Sequence, residues 1–185
     1  RAPAGRPLML RGVAALADVA PAQAHAYLVS SRKTGLVEQD AQSGLYRVGP
    51  FALQLGLARL RAVDASKLAG AAVPAFADEI NLMVTVTVWG SFGPTIVQVL
   101  EGTRQVHVNL RAGAVYSLTG TATGLVFGAF LPKATVQAHL DSVRGEDHTG
   151  RIGAEVDDEA FGKAIVEVRR RGYAVAKGSP IPGVN

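Results

Sequence analysis

The side chains able to do chemistry are few and scattered. His25, His107, His139 and His148 are too far apart to form an HxxxH or HExxH metal face, and the chain has no cysteine. Thiolate metal sites, disulfides and catalytic thiols are therefore excluded. Glu155, Asp157, Asp158 and Glu159 cluster just before a helical stretch, where acids cap and complement the helix dipole. Gly120 and Gly124 lack the lysine that completes a phosphate-binding loop. No nucleophile stands beside a base. The expectation is a protein that is not an enzyme and carries no cofactor and no metal.

Two other sets suit binding. Gln23, His25 and Tyr27 fall within one short amphipathic stretch, followed by Arg32 and Lys33 and later by Arg47. Glutamine pairs bidentately with adenine, and histidine and tyrosine reach base edges or phosphates. The basic residues suit phosphate, which yields affinity without sequence information. Tyr27 fits a core position equally well. The second set is Met83, Trp89, Phe92 and Tyr116 as apolar walls, with Ser117, Thr119, Thr121 and Thr123 as hydroxyls and Gly120 as a source of accessible amides. Such a combination suits a concave site for a small polar molecule. Filling the sheet core is the alternative use for Met83 and Trp89.

The elements that must position these sets follow from periodicity. Leu8, Leu10, Val13, Ala14, Leu16 and Ala17 recur at helical spacing, predicting a helix from Pro7 to Ala17. Asp18 to Ala20 break it. Pro21 opens a second helix to about Lys33, with Ala24, Tyr27, Leu28 and Ser31 on one face, and Gly35 stops it. Leu36–Gln39 and Leu45–Val48 alternate about a turn-forming Asp40–Gly44, which predicts a β-hairpin. Helix, tight turn, helix and hairpin is the order of a winged helix-turn-helix, whose second helix enters the major groove of DNA.

After Gly49-Pro50, an Ala/Leu/Arg-rich stretch to Val63 predicts a linker helix, and Ser66 to about Asp78 predicts another with small residues that permit self-association. Beyond Ile80 the pattern becomes extended. Met83–Trp89, Thr95–Leu100 and Gln105–Leu110 are expected strands; residues 121–130, Ala134–Leu140 and Asp157–Arg171 are expected helices; Tyr173–Ala176 is expected to begin a strand. The fold class is thus α+β in two domains: residues 1–49 the winged helix-turn-helix, 50–64 the linker helix, and 65–185 a domain with a mostly antiparallel sheet covered by helices.

Charge supports this division. Residues 1–63 hold eight Lys/Arg against three acids, a net of +5, whereas residues 64–185 hold eleven against twelve, a net of −1. A basic excess confined to the first third fits contact with a polyanion there. The 48% hydrophobic and 18% charged composition is that of a folded chain, and no apolar run approaches the roughly 20 residues that span a bilayer. A cytoplasmic protein without membrane contact is expected.

Pro7-Leu8-Met9-Leu10 with Val13-Ala14, Gly35-Leu36-Val37-Glu38 with Leu45-Tyr46-Arg47-Val48-Gly49, Gly113 to Pro132, and Arg171-Gly172-Tyr173-Ala174-Val175 through Pro182-Gly183-Val184 resemble, in order and spacing, segments of the isocitrate lyase regulator (IclR) family. The resemblance implies a bacterial transcription regulator, repressor or activator, of a catabolic operon. It further implies a GAF-like effector domain, a small-molecule effector such as an organic or aromatic acid, and a homodimer or dimer of dimers on a pseudo-palindromic operator. It also implies that the chain begins inside or after the family's first helix and ends before its last strands. Ala26 and Ser31 replace the family's arginine and leucine in the second helix, and Leu125 replaces its lysine. The alternative class is a small-molecule-binding or enzymatic α+β domain whose N-terminal helices serve protein association.

Overall fold

The computed structural model describes residues 6–62, 64–102, 110–144, 151–154 and 156–176, with backbone alone at 64–71. The chain divides into two compact units, Arg1–Lys67 and Leu68–Asn185. In the first unit α1 (Leu10–Leu16) and α2 (Pro21–Lys33) pack together, followed by β1 (Val37–Gln39), β2 (Tyr46–Val48) and α3 (Pro50–Arg61). α1 is shorter than its apolar spacing predicts. Leu8 lies outside it and exchanges two backbone hydrogen bonds with Tyr46, N to O at 2.9 and 2.8 Å. The apolar period counts Leu8 as helical because a strand residue packed on the same core obeys the same demand for burial.

The turn into α2 is tight because Asp18 takes a left-handed conformation, φ 51°, which aspartate tolerates better than most residues. Pro21 then occupies the first turn of α2, where a missing N–H costs nothing. α2 ends in a Schellman motif: Leu36 N donates to Ser31 O at 3.0 Å and Gly35 N to Arg32 O at 3.1 Å, with Gly35 at φ 73°. Gly49 N closes on Leu36 O at 2.8 Å, and any side chain at Gly49 would collide with the Gly35 carbonyl. Two glycines thereby bring the end of α2 and the end of the hairpin into backbone contact.

β1 and β2 are antiparallel, with Val37 opposite Val48, Glu38 opposite Arg47 and Gln39 opposite Tyr46. Asp40 organises the turn by accepting from Ser43 N at 2.7 Å, Ser43 Oγ at 2.7 Å and Gln42 N at 3.1 Å. The Ser43 amide is the main reason its carboxyl is held below the usual carboxylate range. α3 buries no residue, and Leu53, Leu55 and Leu57 on it are exposed.

α4 (Asp64–Ile80) leads into a four-stranded sheet of order β3-β4-β5-β6, formed by Val84–Gly90, Gly93–Leu100, Val115–Tyr116 and Arg151–Ile152. The first three strands are antiparallel and β6 joins β5 in parallel, so the sheet is mostly antiparallel as expected. A register shift between Val86 and Thr87 places Gln98 and Ile96 opposite them and leaves Val97 as the extra residue of a bulge. Helices α5 (Ala122–Phe130), α6 (Lys133–Val143) and α7 (Asp158–Arg171) supply Leu125, Phe127, Val136, Phe161 and Ile165 to one apolar core with Leu118 and Trp89.

α7 begins as its acids predict. Asp157 Oδ1 accepts from Ala160 N at 2.8 Å, and Asp158 and Glu159 occupy the first turn. Gly172, at φ 84°, closes the far end. Tyr173–Ala176 does not form the expected strand: Tyr173 and Val175 are 58% and 56% exposed, and no ladder partner lies beside them among the described residues. The expected strand Gln105–Leu110 lies mostly outside the described residues, as do Glu155, His107, His148 and the final segment 177–185. Among the described residues no helix is long and apolar enough to cross a membrane, and no cluster of His, Cys, Asp and Glu suits a metal.

Candidate nucleic-acid interface and effector site

α2 turns one face inward and one outward because only small or apolar residues recur at the buried spacing. Ala24 and Leu28 are buried, while Gln23, His25, Arg32 and Lys33 are exposed. Tyr27 is 60% exposed, so of the two positions its spacing allows it takes the outer one. One turn along the helix from Gln23, it receives a hydrogen bond from Gln23 Nε2 to its Oη at 3.2 Å. This bond leaves the Gln23 carbonyl oxygen and one amide proton facing solvent, the pattern that meets the major-groove edge of adenine.

At the C-terminal end of α2, Arg32 meets the hairpin. Arg32 Nη1 donates to Gln39 Oε1 at 2.8 Å, and Gln39 Nε2 donates onward to Gly44 O at 3.2 Å. Across the strands, Arg47 Nε donates to Glu38 Oε2 at 3.0 Å, and both side chains remain substantially exposed. Arg32, Glu38, Gln39 and Arg47 form the polar lining of an open groove of about 440 Å³. Lys33 makes no ion pair among the described residues. Glu38 and Gln39 are neighbours of the candidate side chains that sequence reasoning missed. The alternation of β1 with β2 held the signal, since residues directly opposite in an antiparallel pair touch.

In the second unit the structure brings Tyr116 to Thr123 together as one segment joining β5 to α5. Tyr116, Ser117, Thr119 and Thr121 are buried, with Gly120 and Thr123 half-buried. The hydroxyls of Ser117, Thr119 and Thr121 are engaged inside the chain. Thr121 Oγ1 accepts from Gly124 N at 2.9 Å, capping α5, and donates to Ser117 O at 2.8 Å. Ser117 Oγ accepts from Gly120 N at 2.9 Å and donates to Ala154 O at 3.5 Å, while Thr119 Oγ1 accepts from Val156 N at 3.0 Å. A side chain at Gly120 would collide with the Ala154 carbonyl, so this glycine is fixed by a close crossing of backbones. Buried hydroxyls left unpaired are costly, and here the main chain satisfies them.

The apolar walls divide. Met83 and Trp89 are half-buried, whereas Phe92 sits in the β3–β4 turn and is 55% exposed. Trp89 packs against Phe127, ring centroids 5.7 Å apart, and takes the edge of His139 at 5.2 Å. His139 is buried and also abuts Gly93, where an added Cβ would lie 3.0 Å from its Cε1. Sequence reasoning passed over His139. Its signal was the spacing Val136, His139, Leu140, Val143, which places it on the apolar side of α6.

Residues 57–185 match the model of the bacterial transcriptional regulator IclR C-terminal family. The glycerol operon regulatory proteins of Streptomyces griseus and Streptomyces coelicolor are 30% and 32% identical, over 92% and 91% of this chain and 65% of each relative. The chain thus spans about two thirds of the length of these curated relatives, a little under it at 65%. Among solved structures, Pseudomonas aeruginosa HmgR is similar at 32% identity and a TM-score of 0.67, covering 96% of this chain and 71% of that one. An IclR homolog from Microbacterium hydrocarbonoxydans, complexed with 4-hydroxybenzoate, shares the fold at a TM-score of 0.63 and 17% identity, over 90% of this chain and 68% of that one. The matched family is one of transcriptional regulators, and the two Streptomyces relatives are operon regulators, not enzymes.

Proposed function

The chain belongs to the IclR family of bacterial transcriptional regulators, and from that membership we propose that it is a ligand-responsive, DNA-binding regulator of an operon. Residues 1–49 act as the winged helix-turn-helix, 50–64 as the linker helix and 65–185 as the effector-binding domain. The observation that carries the DNA-binding part is the outward face of α2, where Gln23, His25 and Tyr27 stand exposed above a buried Ala24 and Leu28. Arg32, Lys33 and Arg47, at the end of that helix and on the hairpin, form the basic edge that faces the phosphates. Tight turns and backbone contacts hold this face on a small rigid frame, as base readout requires.

The effector side is proposed as a site for a small organic acid of the aromatic class, the chemistry carried by the hydroxybenzoate-bound homolog. Met83, Trp89, Phe92 and Tyr116 supply apolar surface. The segment Ser117–Thr123 supplies the polar end through its main chain and the Thr123 hydroxyl at the start of α5, with Gly120 at the close backbone crossing and the buried hydroxyls of Ser117, Thr119 and Thr121 holding that main chain in place. Effector binding then biases how a pair of reading heads meets a pseudo-palindromic operator, a coupling between separate sites.

Fluorescence anisotropy tests the DNA part. The full chain is titrated onto a duplex from its own upstream region and onto a scrambled duplex, at two salt concentrations. Selective binding that weakens steeply with salt is expected; indifference to sequence and salt contradicts the proposal. Adding 4-hydroxybenzoate to the same assay tests the effector class by a shift in affinity.

A further inference from the structure

The two arginines at the hairpin groove carry equal formal charge but stand in unequal surroundings. Arg32 is held by a neutral amide: its Nη1 donates to Gln39 Oε1 at 2.8 Å, and Gln39 is in turn oriented by its own bond to Gly44 O. The guanidinium keeps its full positive charge while its position is set. Arg47 is held by a carboxylate, Glu38 Oε2, at 3.0 Å from the residue directly opposite on β1. That pair is close to electrically neutral. Both arginines are exposed and line the same open groove.

Resting on the DNA-binding proposal above, we propose that Glu38 occupies, on Arg47, the place that a DNA phosphate would take, so that Arg32 is the principal phosphate ligand of the groove and Arg47 is masked. A carboxylate and a phosphate present the same kind of acceptor oxygens to a guanidinium. For Arg47 to engage a phosphate, Glu38 must be displaced, and the departing carboxylate is left facing the polyanion. Exposed ion pairs are weak, so displacement is feasible, but it offsets most of the gain. Arg32 gives up nothing comparable, because Gln39 uses one of its donors and removes none of its charge. Gln39 is therefore a positioning residue: it ties the end of α2 to the turn of the hairpin and aims Arg32 into the groove.

The salt dependence of binding measures this directly, since each phosphate newly neutralised adds about 0.9 to the slope of log affinity against log salt. The probe is a random-sequence duplex, titrated with the full chain and its variants. Arg32→Gln is expected to lower the slope by about 0.9, and Arg47→Gln by well under half of that. Glu38→Gln is expected to raise both affinity and slope, and in the Glu38→Gln background Arg47→Gln should cost the full increment. Asp40→Asn controls for simple loss of negative charge, because Asp40 serves the turn through Ser43 and Gln42; its effect on the slope should be smaller than that of Glu38→Gln. Equal losses from Arg47→Gln in the two backgrounds, with normal wild-type binding, overturn the masking and leave DNA binding intact. A wild-type chain with no salt-dependent binding overturns the DNA-binding proposal itself.

Discussion

The polar side chains of the two units are used in opposite ways. On α2 and the hairpin they stand outside, each held by one exchangeable side-chain contact, as in Gln23 with Tyr27, Arg32 with Gln39 and Arg47 with Glu38. In the segment before α5 they are buried and bonded to the main chain, as in Ser117, Thr119 and Thr121. An exposed polar group with a labile partner costs little to redirect toward a ligand. A buried one cannot be redirected without leaving donors and acceptors unpaired. The charge of the sequence follows the same division, +5 over residues 1–63 against −1 over the rest.

This contrast is sharpest where substitutions should change stability without touching DNA selectivity. Phe161→Ala removes a core ring of α7 that is only 4% exposed, and is expected to destabilise by about 3–5 kcal/mol in denaturant unfolding. Thr121→Val strips the cap of α5 and orphans Gly124 N and Ser117 O, for an expected loss of about 1–3 kcal/mol by the same measurement. If Thr121→Val leaves stability unchanged while abolishing the effector response, the hydroxyl belongs to the ligand and the contrast fails.

On the outer face the expectation reverses. Gln23→Ala should leave stability within about 0.5 kcal/mol of wild type. It should instead relax discrimination at one base pair by about 1–3 kcal/mol, read by anisotropy on operator variants. The smallest effect concerns Glu167, whose exposed carboxyl is lowered from 4.5 to about 2, chiefly by its hydrogen bond from Arg170. A depressed carboxyl stabilises the fold above its ordinary value and loses that contribution as pH falls through the folded one. The difference in Tm between wild type and Glu167→Gln should therefore be small at neutral pH and vanish as pH falls from 4.5 towards 2.

Periodicity and punctuation located the helices and the hairpin, because helix starts and stops are written in local chemistry such as Pro21, Gly35, Asp157 and Gly172. Contacts between distant segments were not legible. Leu8 was counted as helical because its partner, Tyr46, lies far along the chain. Tyr27 was ambiguous because an aromatic residue at helical spacing satisfies both a core and a surface pattern until the neighbouring helix is placed. The main-chain partners of the Ser117 and Thr121 hydroxyls were not legible, because sequence names a donor without naming its partner. Glu38 was invisible for the same reason: its bearing on Arg47 exists only in the register of β1 against β2.

The most direct test of the division of labour is hydrogen–deuterium exchange of the full chain with and without the upstream duplex. Slowed exchange within α2 and the hairpin, residues 21–48, is predicted. Slowed exchange confined to residues 112–144, with none at 21–48, would contradict the assignment of DNA reading to the first unit.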